Sequence, residues 1–152
     1  TQMAIGQGET LVTPIHMAMI TAAIANQGTL MKPYVIDHTE NYKGVMVKNY
    51  KPASYGSLLS VEEVGKLQEL MSLVVSEGTG SKLSGQVYQA AGKTGSAEFS
   101  NNKSESHAWF TGYASTEEKG TIAVTVIVEN GGAGSTTAVP IAKQLFDVYF
   151  AQ

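Results

Sequence analysis

Thr121-Ile122-Ala123-Val124-Thr125-Val126-Ile127-Val128-Glu129 is the run that decides the fold. Ile122, Val124, Val126 and Val128 alternate with Ala123, Thr125 and Ile127, so both faces of the extended chain are apolar, the pattern of a strand inside a sheet. Gly120 ends the turn before it, and residues 115–119 form a connection short enough for an antiparallel hairpin to a second strand at residues 107–114. A third strand is expected at residues 86–98, where Gly92 and Gly95 mark places at which something comes close to the backbone. Downstream, the glycine-rich residues 130–135 read as a plain sheet-to-helix connection rather than an anion site, since they hold no lysine. Pro140 then opens a closing helix with an apolar stripe of Ile141, Leu145, Phe146, Tyr149 and Phe150.

Upstream the period changes. Thr13-Pro14 is a helix start, a capping hydroxyl followed by a residue with no N–H to lose, and Gly28 is the matching stop. From Ile15 to Ala25 almost no polar face remains, which predicts a helix buried on most sides. Ser60-Val61-Glu62-Glu63 is a capping box, after which Val64, Leu67, Leu70, Met71, Val74 and Val75 recur at helical spacing until Gly78. Between these helices, Tyr34-Val35-Ile36 and Val45-Met46-Val47 flank the polar residues 37–44 and suggest a small hairpin. The order predicts an α+β fold, an antiparallel sheet of three main strands with helices packed on its faces.

The 152 residues suit one domain, and a content of 43% hydrophobic against 15% charged residues excludes a disordered segment. Ten lysines, no arginine and thirteen acids give a net charge of -3, which leaves no basic field for nucleic acid. The absence of cysteine removes disulfides, thiolate zinc sites and a cysteine nucleophile together. His16, His38 and His107 are scattered without ligand spacing, so neither a metal nor a cofactor is expected. No apolar run approaches the roughly twenty residues of a membrane span. Beginning at Thr1 without an apolar leader, the chain reads as a piece of something longer.

The densest chemistry lies in Ala91-Gly92-Lys93-Thr94-Gly95-Ser96-Ala97-Glu98. A cation, two hydroxyls and a residue without a side chain on one strand suit recognition of a carboxylate by a backbone that approaches its ligand closely. Taken alone, the octapeptide reads equally well as a solvated strand with a glycine bulge. Gly92-Lys93-Thr94 also copies the end of a phosphate-binding loop, but Val87 stands at the first glycine and Gly95-Ser96-Ala97 break the helix such a loop needs. His107 is a candidate neighbour of Lys93 across the sheet, although a hydrogen-bonded strand histidine is the simpler reading. Glu98 reads equally as a solvated strand end.

Lys-Thr-Gly is a signature element of penicillin-binding proteins and serine β-lactamases, alongside Ser-x-x-Lys and Ser-x-Asn. The chain resembles the C-terminal half of a penicillin-binding protein transpeptidase domain over nearly its whole length. The ordered matches are Ile5-Gly6-Gln7-Gly8-Glu9, Thr13-Pro14, Ala22-Ala23-Ile24-Ala25-Asn26-Gln27-Gly28 and Met31-Lys32-Pro33-Tyr34. They continue with Glu77-Gly78-Thr79-Gly80, Gly92 to Glu98, and Ala108-Trp109-Phe110-Thr111-Gly112-Tyr113.

The resemblance implies a parent D,D-transpeptidase that cross-links peptidoglycan stem peptides, is acylated by β-lactams and works outside the cytoplasmic membrane, anchored by a segment not in this sequence. It implies that Lys93 supplies positive potential and joins the proton relay, that Thr94 and Ser96 hydroxyls hold the substrate carboxylate, and that Gly95 keeps the strand flat and open. It also implies that Ser96 N–H is one of two oxyanion-hole donors, each worth roughly 3 to 4 kcal/mol where one has been removed. Lys93 and Ser96 are thus the catalytic candidates, and residues 93–96 the substrate-binding ones.

Nothing before Lys93 spells Ser-x-x-Lys or Ser-x-Asn. Ser100-Asn101-Asn102-Lys103 satisfies both but follows Lys93 in a polar segment without a helix signal, so it reads as coincidence. The chain is therefore expected to supply one wall of an active site and to be inactive without an upstream half. Its last strand, which in the family pairs with a strand of that half, would be left as an edge through which copies could associate. A serine β-lactamase or β-lactam sensor shares the Lys-Thr-Gly strand, and a non-catalytic binding or assembly module of the same fold is the reading from another class.

Overall fold

The computed structural model describes residues 10–98 and 105–151. The Ile5 to Glu9 match and the Ser100 to Lys103 coincidence lie outside them. The described elements are α1 (Pro14–Ala25), β1 (Thr29–Met31), β2 (His38–Glu40), β3 (Met46–Asn49), β4 (Ser54–Ser57) and α2 (Val61–Ser76). A 3-10 turn (Ser81–Leu83), β5 (Gln89–Glu98), β6 (Ser106–Thr116), β7 (Gly120–Val128) and α3 (Ala138–Ala151) follow. The α+β expectation holds. β5, β6 and β7 form a three-stranded antiparallel sheet in that order, and β1–β4 and β2–β3 are separate two-stranded ribbons.

The register of the main sheet runs without a slip, pairing Gly92 with Gly112, Lys93 with Thr111 and Tyr113 with Ala123. Directly opposed residues share a face, so Ala91, Lys93, Trp109, Thr111, Tyr113 and Thr125 lie on one side. Helix α1 packs there, with Ile24, Met71 and Ala91 buried together. The opposite face carries Phe110, Ala114 and Val126, which join Val139, Ala142, Phe146 and Phe150 of α3 in the larger core. Phe110 and Phe146 are fully buried, and truncating either would cost about 3–5 kcal/mol.

Several local expectations needed correction. The apolar pattern of β7 read as a strand inside a sheet, but its two apolar faces come from α1 on one side and α3 on the other; among the described residues it pairs only with β6 and stands at the sheet edge, as the resemblance implied. Helix α1 starts as expected, with Thr13 Oγ1 accepting from His16 N, but only Thr21, Ala23 and Ile24 are buried and Ile15 stays exposed. The sheet meets one flank of the helix, and the start of the other borders an open hollow lined also by Leu30 and Tyr55. The capping box of α2 forms, Glu63 Oε2 accepting from Ser60 N at 2.8 Å, yet Leu70 points to solvent.

In α3 the buried row is Ala138, Val139, Ala142, Phe146 and Phe150, because small Ala142 lets the helix sit close; Ile141, Leu145 and Tyr149 flank it, partly exposed. Pro140 is the third helical residue rather than the first, still within the turn whose N–H groups lack intrahelical acceptors. The small hairpin exists, but its first strand is β2 rather than Tyr34–Val35–Ile36. Asn41 Oδ1 accepts from Lys43 N and Val45 N and makes the turn, so the residues just before it must pair. The strand expected from Gln86 begins at Gln89, since Tyr88 instead turns inward against Phe146 and Phe150.

Candidate functional site

β5 brings all of the predicted site residues onto one strand, and alternation separates them by face. Lys93 and Gly95 lie on the α1 side, Thr94 and Ser96 on the α3 side. Lys93 is exposed, and its Nζ donates to Thr94 O at 2.6 Å, folding the cation back along its own strand. Opposite it, Thr111 starts a chain of hydroxyls, its Oγ1 lying 2.7 Å from Thr125 Oγ1 and 2.5 Å from Thr21 Oγ1. Thr21 is buried, so this chain ties α1 to the strand facing Lys93. Burial also raises the Tyr113 phenol above its ordinary pKa.

Thr94 is only 9% exposed, and its Oγ1 lies 2.6 Å from Oγ1 of Thr79 in the turn after α2. That turn is tight. Gly80 N donates to Val74 O at 2.8 Å, and a Cβ on Gly78 would sit 2.9 Å from the same carbonyl. The flanking glycines therefore fix where Thr79 stands.

Gly95 serves close packing rather than an unusual backbone angle, since a Cβ there would lie 3.2 Å from Trp109 Cβ. Ser96 is exposed, and its Oγ accepts from Gly134 N at 3.4 Å. The loop of residues 130–135 is seated against the sheet, as a connection would be. A Cβ on Gly134 would come 2.6 Å from Gly95 O, and Ser106 Oγ donates to Gly132 O at 3.0 Å. His107 is not beside Lys93. It pairs with Ala97, roughly 13 Å along the strand, and its Nδ1 accepts from Asn130 N at 3.1 Å. Glu98 is an exposed strand end opposite Ser106.

Among the described residues β5 pairs only with β6, and α2 packs near the start of its other edge through Met71 and Ala91. From Lys93 onward that edge offers backbone groups to an added strand. An apolar hollow of about 490 Å³ lies elsewhere, lined by Thr13, Ile15, His16, Met19, Leu30 and Tyr55, none of them on β5. No group of acids and histidines suited to a metal occurs among the described residues, and no described helix is long and apolar enough to cross a membrane. Two contributors escaped the sequence reading, Thr79 and Gly134. The glycines on either side of Thr79 were the available signal for the first.

Lys93 and Ser96 are thus exposed and Gly95 half-buried along a strand whose second edge is unpaired among the described residues, with helices on both faces of its sheet. Residues 1–147 match the penicillin binding protein transpeptidase domain, and the chain belongs to that family. It is 33% identical to the peptidoglycan D,D-transpeptidase MrdA of Acinetobacter baumannii over 97% of its own length and 24% of that protein's. To the peptidoglycan D,D-transpeptidase PbpA of Mycolicibacterium smegmatis it is 29% identical, covering 92% of this chain and 30% of the other.

Among solved structures, the ceftriaxone acyl-enzyme complex of penicillin-binding protein A from M. tuberculosis superposes with a TM-score of 0.87 at 28% identity, covering 97% of this chain and 34% of that one. The D,D-transpeptidase domain of a peptidoglycan glycosyltransferase from Eggerthella lenta gives 0.77 at 31% identity, covering 90% and 32%. The chain thus spans between a quarter and about a third of the length of these relatives.

Proposed function

We propose that residues 1–152 are the C-terminal portion of a penicillin-binding D,D-transpeptidase domain that cross-links peptidoglycan stem peptides outside the cytoplasmic membrane, and that the chain supplies the substrate-binding wall of its active site. The observation that carries this is the exposure of Lys93 and Ser96 along the edge of β5 that is unpaired among the described residues. A stem peptide or β-lactam would lie beside that edge as an added strand. Lys93 would supply positive potential to the ligand carboxylate and to the proton relay, while Ser96 Oγ, with Thr94 behind it, would receive the carboxylate. Ser96 N–H would be one oxyanion-hole donor, and Gly95, without a side chain, would leave the approach clear.

Neither Ser-x-x-Lys nor Ser-x-Asn precedes Lys93 in these residues. The attacking serine would come from an upstream half of the domain, and this chain alone would be inactive, since loss of the nucleophile in a serine hydrolase costs about a million-fold in rate. The test is labelling with a fluorescent penicillin. The chain alone should take no covalent label, and the complete domain should take one that is lost in Lys93→Ala. Label on the isolated chain, or full labelling of the Lys93→Ala domain, would contradict the assignment.

A further inference from the structure

We propose that Thr79 is a positioning residue for carboxylate recognition on β5: its hydroxyl donates to Thr94 Oγ1 and so directs the Thr94 proton toward a ligand lying along the strand. The inference rests on the reading above, which gives Thr94 a share in the carboxylate. Its starting point is the 2.6 Å contact between the two hydroxyl oxygens, fifteen residues apart in sequence.

Two hydroxyls sharing one hydrogen bond hold two protons and use one of them. The other belongs to whichever oxygen accepts. Thr79 is exposed and Thr94 is nearly buried, so water can satisfy the lone pairs of Thr79. Thr94, on the strand itself, is the one that gains by keeping a proton to donate. A carboxylate accepting from Thr94 makes the second bond charge-assisted, and each bond of such a chain polarises the next. The direction Thr79 to Thr94 to carboxylate is therefore the one that a bound anion favours.

The turn is built to hold this geometry. Gly80 N bonds Val74 O, and Cβ atoms on Gly78 and Gly80 would lie 2.9 and 3.1 Å from that carbonyl. Thr79 is thereby fixed between the end of α2 and the middle of β5. At the same point on the strand, the Thr94 carbonyl already accepts from Lys93 Nζ. Helix, cation and strand are coupled through one residue.

The experiment uses the complete transpeptidase domain and measures the second-order rate of acylation by benzylpenicillin and by its methyl ester, which lacks the negative charge. Thr79→Val should slow acylation by the acid about tenfold and by the ester little, so that the acid-to-ester ratio collapses. Thr79→Ser should restore the ratio. In a Thr94→Val background, Thr79→Val should change the ratio no further, as expected of two residues acting through one bond.

An unchanged ratio in Thr79→Val, an equal loss with both compounds, or a further drop in the Thr94→Val background would overturn the proposal. Failure of the unsubstituted domain to be acylated at all would instead sink the underlying assignment, and this inference with it. A melting curve for each variant separates a misfolded protein from a mispositioned hydroxyl. Should Thr79→Val not fold, Thr79→Ser decides: a ratio equal to that of the unsubstituted domain supports the role, and a ratio lowered toward that of the Thr94→Val domain contradicts it.

Discussion

Replacing Gly134 by alanine tests how the loop after β7 supports the site strand. A Cβ there would press into Trp109 O and lie 2.6 Å from Gly95 O and 3.1 Å from Gly95 N. All three neighbours are backbone atoms of paired strands, so no side chain can swing aside. Either the loop withdraws by about 1 Å or β5 bows at the glycine of Lys-Thr-Gly. Overpacking of this kind costs about 1–3 kcal/mol. In a chain of this length each kcal/mol is worth roughly 2–4 °C, so the melting temperature should fall by roughly 2–12 °C.

Gly65→Ala is the matched control. Gly65 lies on the exposed side of α2 with nothing within 4 Å of a Cβ, and alanine there should stabilise by about 1 kcal/mol through helix propensity. The assay is thermal unfolding followed by far-ultraviolet circular dichroism on both variants in parallel. Gly134→Ala melting at or above the unsubstituted chain would refute the packing of residues 130–135 against β5.

Asp147 joins α3 to the core by accepting from Lys143 Nζ at 2.7 Å and from Tyr88 OH at 2.8 Å, and these bonds hold its carboxyl below the usual carboxylate range. A depressed folded-state pKa gives stability that is present above the unfolded value and lost as pH falls through the folded one. Asp147→Asn should therefore lower stability at pH 7 by about 1 kcal/mol or less, and in denaturant titrations the difference from the unsubstituted chain should start to shrink as pH falls to about 4 and vanish only below the depressed folded-state pKa. β7 holds no proline, charge or register slip between Thr121 and Val128, so its edge, unpaired among the described residues, lacks the usual guards against pairing. We expect the chain to self-associate through that edge, and size-exclusion chromatography with light scattering showing only monomer at high concentration would contradict this.

The parts of the fold legible in the sequence were those set by local chemistry. The Ser60–Glu63 capping box, the Thr13 cap and the alternation of β7 each depend on residues a few positions apart, and each appeared where expected. What escaped depended on partners distant in sequence. Whether Leu70 or Met71 turns inward is set by β5 and α1, and which row of α3 is buried is set by the close approach that Ala142 allows. The site divides in the same way. Lys93 to Ser96 were readable as a strand with chemistry on it, whereas Thr79 and Gly134 reach that strand only through the chain's return, and a hydroxyl pair fifteen residues apart has no periodic signature. The apolar pattern of β7 alone reads as a strand inside a sheet because α1 and α3 cover its two faces; its edge position was expected only from the resemblance, whose pairing strand lies outside this sequence.

The most direct measurement of the central claim is a crystal structure of the complete domain acylated by benzylpenicillin. The ligand should run antiparallel to β5, with its acyl oxygen about 3 Å from Ser96 N and its carboxylate within hydrogen-bond reach of Ser96 Oγ or Thr94 Oγ1. An acylated domain whose ligand touches neither residue 94 nor residue 96 would contradict the account.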